Sequence, residues 1–263
     1  AIQAGCQAFF GYPITPQSEI PEYFSRELPP RGGLFLQAES EMAAMNMVMG
    51  ASAAGGRVMT STSGPGFCLK LEALAAMTLT RLPAVIVVVM RSGPAFGTMK
   101  AAQEDYRMCG NGGYRVVTMA PSDVQEAASM VYEAFDISDQ YRNPVVILAD
   151  GMIGQMMGAV DFDRMPPRRE NLPAKDWALR GSDARGGKAQ AILFPVGTAH
   201  YIEKNIAETE LYPALIANET RVESIGVEDA DIVLAAYGTA SRMCRAAMET
   251  LKGELKLGLI RPK

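Results

Sequence analysis

Apolar positions in the first 150 residues fall in short runs separated by stretches of helical spacing. Residues 8–12 form the first run and predict a strand. A helix over 17–27 follows, stopped by Pro29 and Pro30. The same reading gives a strand at 34–38 and a helix at 40–54, rich in Ala and Met and ended by Gly55 and Gly56. A strand at 57–62 and a helix at 67–80 come next. Residues 84–90 (AVIVVVM) show no polar alternation, the pattern of a strand buried on both faces of a parallel sheet. Residues 115–119 predict a strand and 122–141 a helix, with Ser122 and Gln125 as its capping box. A strand at 145–149 closes the series. The repeated βα order predicts an α/β fold built on a doubly wound parallel sheet.

The pattern breaks after Gly158. Residues 160–190 carry MPPRREN and GSDARGG with little apolar periodicity, as in an excursion across a surface. The stretch 191–222 is ambiguous, with one helix near 200–208. From Ala230 the βα pattern returns: a strand at 232–236, a turn at Gly238 and Thr239, a helix at 241–251 and a strand at 257–260. The expected organisation is a first domain over 1–158, a linker and excursion over 159–222, and the start of a second α/β domain over 223–263. That second piece is too short for a core of its own. The first residue is not Met, and the last residues directly follow a strand. A longer polypeptide, or completion by a neighbour, is therefore expected.

Composition narrows the chemistry. The chain is 263 residues long, 48% hydrophobic and 21% charged, which is globular rather than disordered. A net charge of −4 gives no general pull toward nucleic acid or anionic membranes, and no apolar run is long enough to span a bilayer. The single histidine, His200, leaves no way to build a zinc site on several histidines, and it is read as a packing or surface residue. Cys6, Cys68, Cys109 and Cys244 lie far apart without a CxxC pair, so no metal site is expected on this chain. Scattered cysteines and the lack of a secretory segment suit a cytoplasmic protein. If the chain serves an enzyme, an organic cofactor is expected to carry the hard chemistry.

Ligands of parallel α/β sheets bind beyond the carboxyl ends of the strands. GYPITP (11–16), QAESE (37–41), TSTSGPG (60–66) and MRSGP (90–94) all fall there. TSTSGPG sets small hydroxyls and glycines before a helix, either as an anion-binding turn or as a tight connection with Ser63 at the helix start. Glu41 sits where the helix dipole favours acids, but the helix that follows is small or apolar on nearly every face. Such a helix should be buried and its carboxylate partly desolvated, which suits a proton-sharing role. Arg91 at the end of the most apolar strand either pairs with a carboxylate of the fold or meets an anionic ligand. Thr15, between Ile14 and Pro16, either serves its own turn or faces a ligand.

GYPITP, QAESEMAAMNMVMGAS, TSTSGPG, LPAVIVVVMRSGP and YRNPVVILADGMIGQMM together resemble the alpha subunits of 2-oxoacid:ferredoxin oxidoreductases. The 2-oxoisovalerate (branched-chain) type is nearest and the 2-oxoglutarate type next. The likeness is dense over residues 1–160 and returns in DADIVLAAYGTASRM and LGLIRP. It implies a thiamine diphosphate-binding fold, with a pyrimidine-binding module followed by a transketolase-C-terminal-like domain that is incomplete here. Glu41 matches the family glutamate ahead of Gly50 and Ala51, which hydrogen-bonds the aminopyrimidine nitrogen of the cofactor. A proton shared there lets the cofactor deprotonate its own thiazolium carbon without a protein histidine. By the same likeness Thr15 and Arg91 would face the substrate carboxylate, and Tyr12, Pro13, Ser63, Gly64 and Pro65 would line the cofactor pocket.

The stretch after Gln103, EDYRMCGNGGYRVV, is shorter than the family loop. The resemblance places the diphosphate and Mg2+ on a beta subunit and 4Fe–4S clusters on partner chains. A gamma subunit and a ferredoxin-like subunit would complete the complex, with CoA and a 2-oxoacid as substrates. Other readings are a 2-oxoglutarate- or pyruvate-specific member, a lipoate-linked dehydrogenase or transketolase-like subunit, and a non-catalytic scaffold of the same fold.

Overall fold

The computed structural model describes residues 1–92, 100–110, 112–187, 191–192 and 196–263. The first unit runs β1 (Ala8–Gly11), α1 (Glu19–Glu27), β2 (Leu34–Gln37), α2 (Glu41–Ala53), β3 (Val58–Thr62), α3 (Gly64–Leu79) and β4 (Val85–Met90). After a 3-10 turn over Glu104–Cys109 it continues with β5 (Val117–Met119), α4 (Val124–Tyr141), β6 (Val145–Asp150) and the short α5 (Gly151–Gly154). The six strands form one parallel sheet in the order β2-β1-β3-β4-β6-β5. The chain passes from β1 to β2 on one side and returns to β3 on the other, so the strand order switches direction at β1 and β3. In doubly wound sheets that is where ligands enter.

The β4 run belongs to two cores at once. Ile86, Val88 and Met90 pack with Met45, Val48, Phe67, Leu74 and Met77 under α2 and α3. Val85, Val87 and Val89 pack with Phe9, Phe24, Met130 and Phe135 under α1 and α4. All six β4 side chains are buried, as the uninterrupted apolar run predicts. Burying each such side chain stabilises the fold by roughly 1.5–3 kcal/mol before entropy is counted.

Three local expectations are corrected. The capping box of α4 is built one residue later than predicted. Asp123 accepts the Glu126 amide, and Glu126 accepts from the Ser122 amide and hydroxyl. Gln125 instead bonds the backbone of Asp161. A carboxylate at the N-cap offers the stronger acceptor, and the dipole favours it there. Helix α2 is not enclosed on every side. Only the sides toward the sheet and α3 are buried, and Met42 remains 52% exposed although the sequence is apolar around the helix. Gly238 and Thr239 do not form a free turn but open a helix.

The excursion from 155 to 187 adds no strand but is tied to the first unit. Asp136, buried on α4, accepts from Arg57, from Arg168 and from the Arg169 amide. Arg142 lies 4.5 Å over the Trp177 ring. The ambiguous segment contains α6 (Thr198–Ile206), a π-helical turn over Ala207–Leu211, and α7 (Tyr212–Glu219). A second sheet follows, made of β7 (Val222–Ile225), β8 (Ile232–Ala235) and β9 (Leu257–Pro262), with α8 (Gly238–Thr250) between the last two. Its order is β7-β9-β8, with β7 antiparallel to β9 and β8 parallel to it.

Polar contacts fasten this sheet to the first. Asp150, at the end of β6, accepts from Met152 N and Ile153 N, from Gln103 Nε2, and from both the amide and hydroxyl of Thr239. Tyr237 donates its hydroxyl to the Gln103 carbonyl. Gly238 has φ +54°, and a Cβ there would lie 2.7 Å from Asp150 Oδ2. Both the backbone and the contact require glycine. The buried Arg261 pairs with Glu126 and Glu223.

Candidate functional site

At the switch point, the residues after β1, β2, β3 and β4 face a common edge. The turn after β1 is fixed by Gln17, which is buried. Its amide donates to the Tyr12 carbonyl at 3.1 Å and its carbonyl oxygen accepts from the Ser61 hydroxyl on β3. Thr15 is exposed on this turn. Arg91 Nη1 donates to the Thr15 carbonyl at 3.1 Å, so the two residues expected at a substrate carboxylate are neighbours. Gly93 and Pro94 of the MRSGP segment lie outside the described residues.

Glu41 is the first residue of α2 and is only 6% exposed. Ser40 caps the helix by accepting from the Ala43 amide at 3.1 Å, leaving the Glu41 side chain for another use. That side chain lies against the start of α3. A Cβ on Gly66 would come within 2.5 Å of Glu41 Oε1 and 2.8 Å of its Cγ, and would also strike Thr62 Oγ1. Gly66 is therefore the space in which the carboxylate sits.

Ser63 occupies the N-cap position of α3 but makes no side-chain cap bond. Its buried hydroxyl has no partner. A buried polar atom without a partner is costly, and its position at a helix start on a ligand-binding edge fits a group supplied from outside the chain. Gly64 is buried beside it and Pro65 is partly exposed; Tyr12 is partly exposed and Pro13 exposed on the opposite turn.

Three residues of this edge lie outside the motifs that the sequence marks. Gln17 is one. Lys70, one helical turn beyond Gly66, is fully buried and donates to the Glu41 carbonyl and the Thr60 hydroxyl, both at 3.2 Å. Burial pushes its ammonium down to about 8, against the attraction of Glu41. Its spacing from Gly66 is the one pattern that could have suggested it. Asp105 is the third. It is fully buried and no well-formed hydrogen bond reaches either carboxylate oxygen. Burial and then the Glu104 charge raise its carboxyl to about 6, against the pull of the Gly64 and Arg91 amides.

The raised Asp105 carboxyl has a consequence for stability. Its contribution is complete below the unfolded value and is lost as pH rises through about 6. Asp105→Asn should therefore stabilise the chain by about 2–3 kcal/mol at pH 7–8, with the gain fading toward pH 4. Urea midpoints measured across that range check this, and a difference independent of pH would refute it.

His200 lies elsewhere. With Arg81, Tyr114 and Lys204 it lines a cavity of about 400 Å³ at the far end of α3. Among the described residues, no group of three His, Cys, Asp or Glu side chains is placed to hold a metal ion. No helix among them is long and apolar enough to cross a membrane.

The site can be set beside known proteins. Residues 1–183 match the family described as pyruvate flavodoxin/ferredoxin oxidoreductase, thiamine diphosphate-binding. The ketoisovalerate oxidoreductase subunit VorB of Methanothermobacter marburgensis is 46% identical over 268 residues, covering 100% of this chain and 75% of VorB. The 2-oxoglutarate synthase subunit KorA of Methanocaldococcus jannaschii is 45% identical over 161 residues, covering 59% of this chain and 44% of KorA. In three dimensions the whole chain superposes on 51% of a chain of the 2-oxoglutarate:ferredoxin oxidoreductase from Magnetococcus marinus, with a TM-score of 0.79 and 26% identity. That structure was solved with 2-oxoglutarate, coenzyme A and succinyl-CoA bound. The chain thus spans three quarters of VorB and about half of the solved chain. A six-stranded parallel sheet, with Glu41 held at its switch point and a family match over most of the sequence, makes this chain a member of the 2-oxoacid:ferredoxin oxidoreductases, carrying their thiamine diphosphate-binding domain.

Proposed function

We propose that this chain supplies the pyrimidine-side half of a thiamine diphosphate site for oxidative decarboxylation of a branched-chain 2-oxoacid. CoA would be the acyl acceptor and ferredoxin the electron acceptor. The observation that carries the reading is the buried Glu41 carboxylate, lodged in the space left by Gly66 beside the unpartnered Ser63 hydroxyl. VorB, whose name gives ketoisovalerate as its substrate, supports the branched-chain choice.

Thiamine diphosphate, when bound, supplies the nucleophilic carbon that attacks a 2-keto group. This chain's residues have separate duties around it. Glu41 holds and returns a proton at the aminopyrimidine ring. Ser63, Gly64 and Pro65 at the start of α3, with Tyr12 and Pro13 just after β1, shape the pocket. Arg91 and Thr15 bind the substrate carboxylate, where guanidinium offers paired donors and the exposed threonine a single hydroxyl.

The diphosphate, its Mg2+ and the 4Fe–4S clusters belong to partner chains in this proposal: a diphosphate-binding beta subunit, a gamma subunit and a ferredoxin-like subunit. Exposed apolar side chains at the candidate edge support a partner there. Met42 and Leu69, on the packed pair α2 and α3, are 52% and 48% exposed. We also propose that residues 223–263 begin a transketolase-C-terminal-like domain after a linker over 159–222, and that the complex works in the cytoplasm.

The test is a panel of 2-oxoisovalerate, 2-oxoglutarate and pyruvate on the co-expressed complex and on the isolated chain. The complex should decarboxylate 2-oxoisovalerate fastest and reduce ferredoxin only with CoA present. The isolated chain should show no turnover. Decarboxylation by the isolated chain would refute the shared site, and a preference for 2-oxoglutarate would refute the branched-chain assignment.

A further inference from the structure

Lysine is almost never fully buried without a charged partner, because taking an ammonium out of water is expensive. Lys70 breaks that rule at one place, the floor of the candidate site. Its solvent exposure is zero, and its ammonium rests on two neutral oxygens, the Glu41 carbonyl and the Thr60 hydroxyl. Among the described residues it forms no ion pair at contact distance. The negative group that acts on it is the Glu41 carboxylate.

The geometry relates the three residues closely. Gly66 and Lys70 are four apart on α3, so they share one face of that helix. Gly66 makes room for the Glu41 side chain, and Lys70 reaches the main chain of the same residue. Glu41 is thus gripped from one helix face at both ends. Its carboxylate lies on a glycine and its carbonyl on an ammonium. Thr60 on β3 holds the ammonium from beneath.

We propose that Lys70 is a positioning residue for Glu41, fixing the first turn of α2 and drawing its carboxylate inward toward a buried positive charge. This rests on the reading of Glu41 given above and adds to it a residue that reaches the chemistry only through Glu41. A lysine kept for packing alone would be replaced by an apolar side chain with gain, since Met fills similar volume without a charge to desolvate. Burial already holds the Lys70 ammonium below its ordinary range, so at neutral pH the charge works against folding. The stability given up locates the function.

The experiment uses the co-expressed complex with Lys70→Met and, as a second variant, Lys70→Gln. The expected result for Lys70→Met is an unfolding midpoint equal to or above wild type, a kcat lowered about 10-fold or more, and a KM for the 2-oxoacid within twofold. Lys70→Gln, which can still donate to one oxygen, should fall between wild type and Lys70→Met in kcat. Combining Lys70→Met with Glu41→Gln should lower kcat no further than Glu41→Gln alone, because residues acting as a unit are not additive. A kcat within twofold of wild type for Lys70→Met would overturn the proposal. A midpoint that falls together with kcat would also overturn it, since that is the signature of a structural lysine. If instead Glu41→Gln alone leaves turnover unchanged, the functional reading of the site fails first.

Discussion

Glu41→Gln in the assembled complex should lower 2-oxoacid turnover by about 10²-fold or more, the scale of a lost proton-transfer group. Glutamine keeps the length and shape of the side chain and fits the space beside Gly66, so the pocket is not emptied. What it loses is the capacity to hold a proton and give it back. The fold should not suffer, because the N-cap of α2 is Ser40 and the helix start does not depend on the Glu41 side chain. The predicted signature is therefore a large fall in kcat with an unfolding midpoint close to wild type. Initial-rate assays with a thermal unfolding scan of the same preparation check it. Full turnover in the variant would favour the reading of this chain as a scaffold that retains the fold without the chemistry.

Gly66→Ala should cost a comparable amount, about 10²-fold in kcat, for a purely steric reason. The added Cβ would meet Glu41 Oε1 at 2.5 Å and Cγ at 2.8 Å, closer than nonbonded atoms allow. The backbone of α3 is fixed by its buried face, so the Glu41 side chain must yield, along with the Thr62 hydroxyl that the Cβ would also strike. A displacement of about 1 Å at a reacting group is enough for such a loss. Gly66 lies in the first turn of α3, where alanine is no worse a helix former than glycine. The variant should thus stay folded while losing activity. A turnover near wild type would mean that the working position of the carboxylate is not the one beside Gly66.

How much of this was legible in the sequence depends on the distance over which each feature is determined. The β4 run declares its burial locally, because no polar residue interrupts it and both sheet faces must therefore be covered. Glu41 was readable for a similar reason: a carboxylate opening an apolar helix at a strand end is unusual within a short window. Arg91 and Thr15 are 76 residues apart, and only the fold brings the guanidinium to the Thr15 carbonyl.

Lys70 and Asp105 were not legible. A lysine in FCLKLEALAA reads as the solvent side of a helix, and it is buried only because α2 packs across it. Asp105 sits in a polar stretch whose burial depends on distant segments, the start of α3 at Gly64 and the end of β4 at Arg91. The strand β7 has no local signature, because it pairs with β9, far along the chain, and alternates in exposure over only a few residues. The one-residue shift of the α4 cap shows the same limit at short range. Ser122–Gln125 and Asp123–Glu126 both satisfy the spacing, and the charge of Asp123 decides between them.

The Asp150 joint divides the sheet edge into two halves with different chemical capacity. A carboxylate offers about four lone-pair sites. Five donors converge on Asp150, from its own helix start, from Gln103 and from Thr239. It is saturated, with no acceptor left for a metal ion, a water or a ligand hydroxyl. Asp150 is thus fully engaged within the chain, although it is a buried acid of the kind that marks active sites. The β1–β3 side keeps the opposite condition, with the Ser63 hydroxyl still unmatched. Under the proposed function, coordination capacity, more than the mere presence of acidic residues, assigns the ligand to the β1–β3 half of the edge.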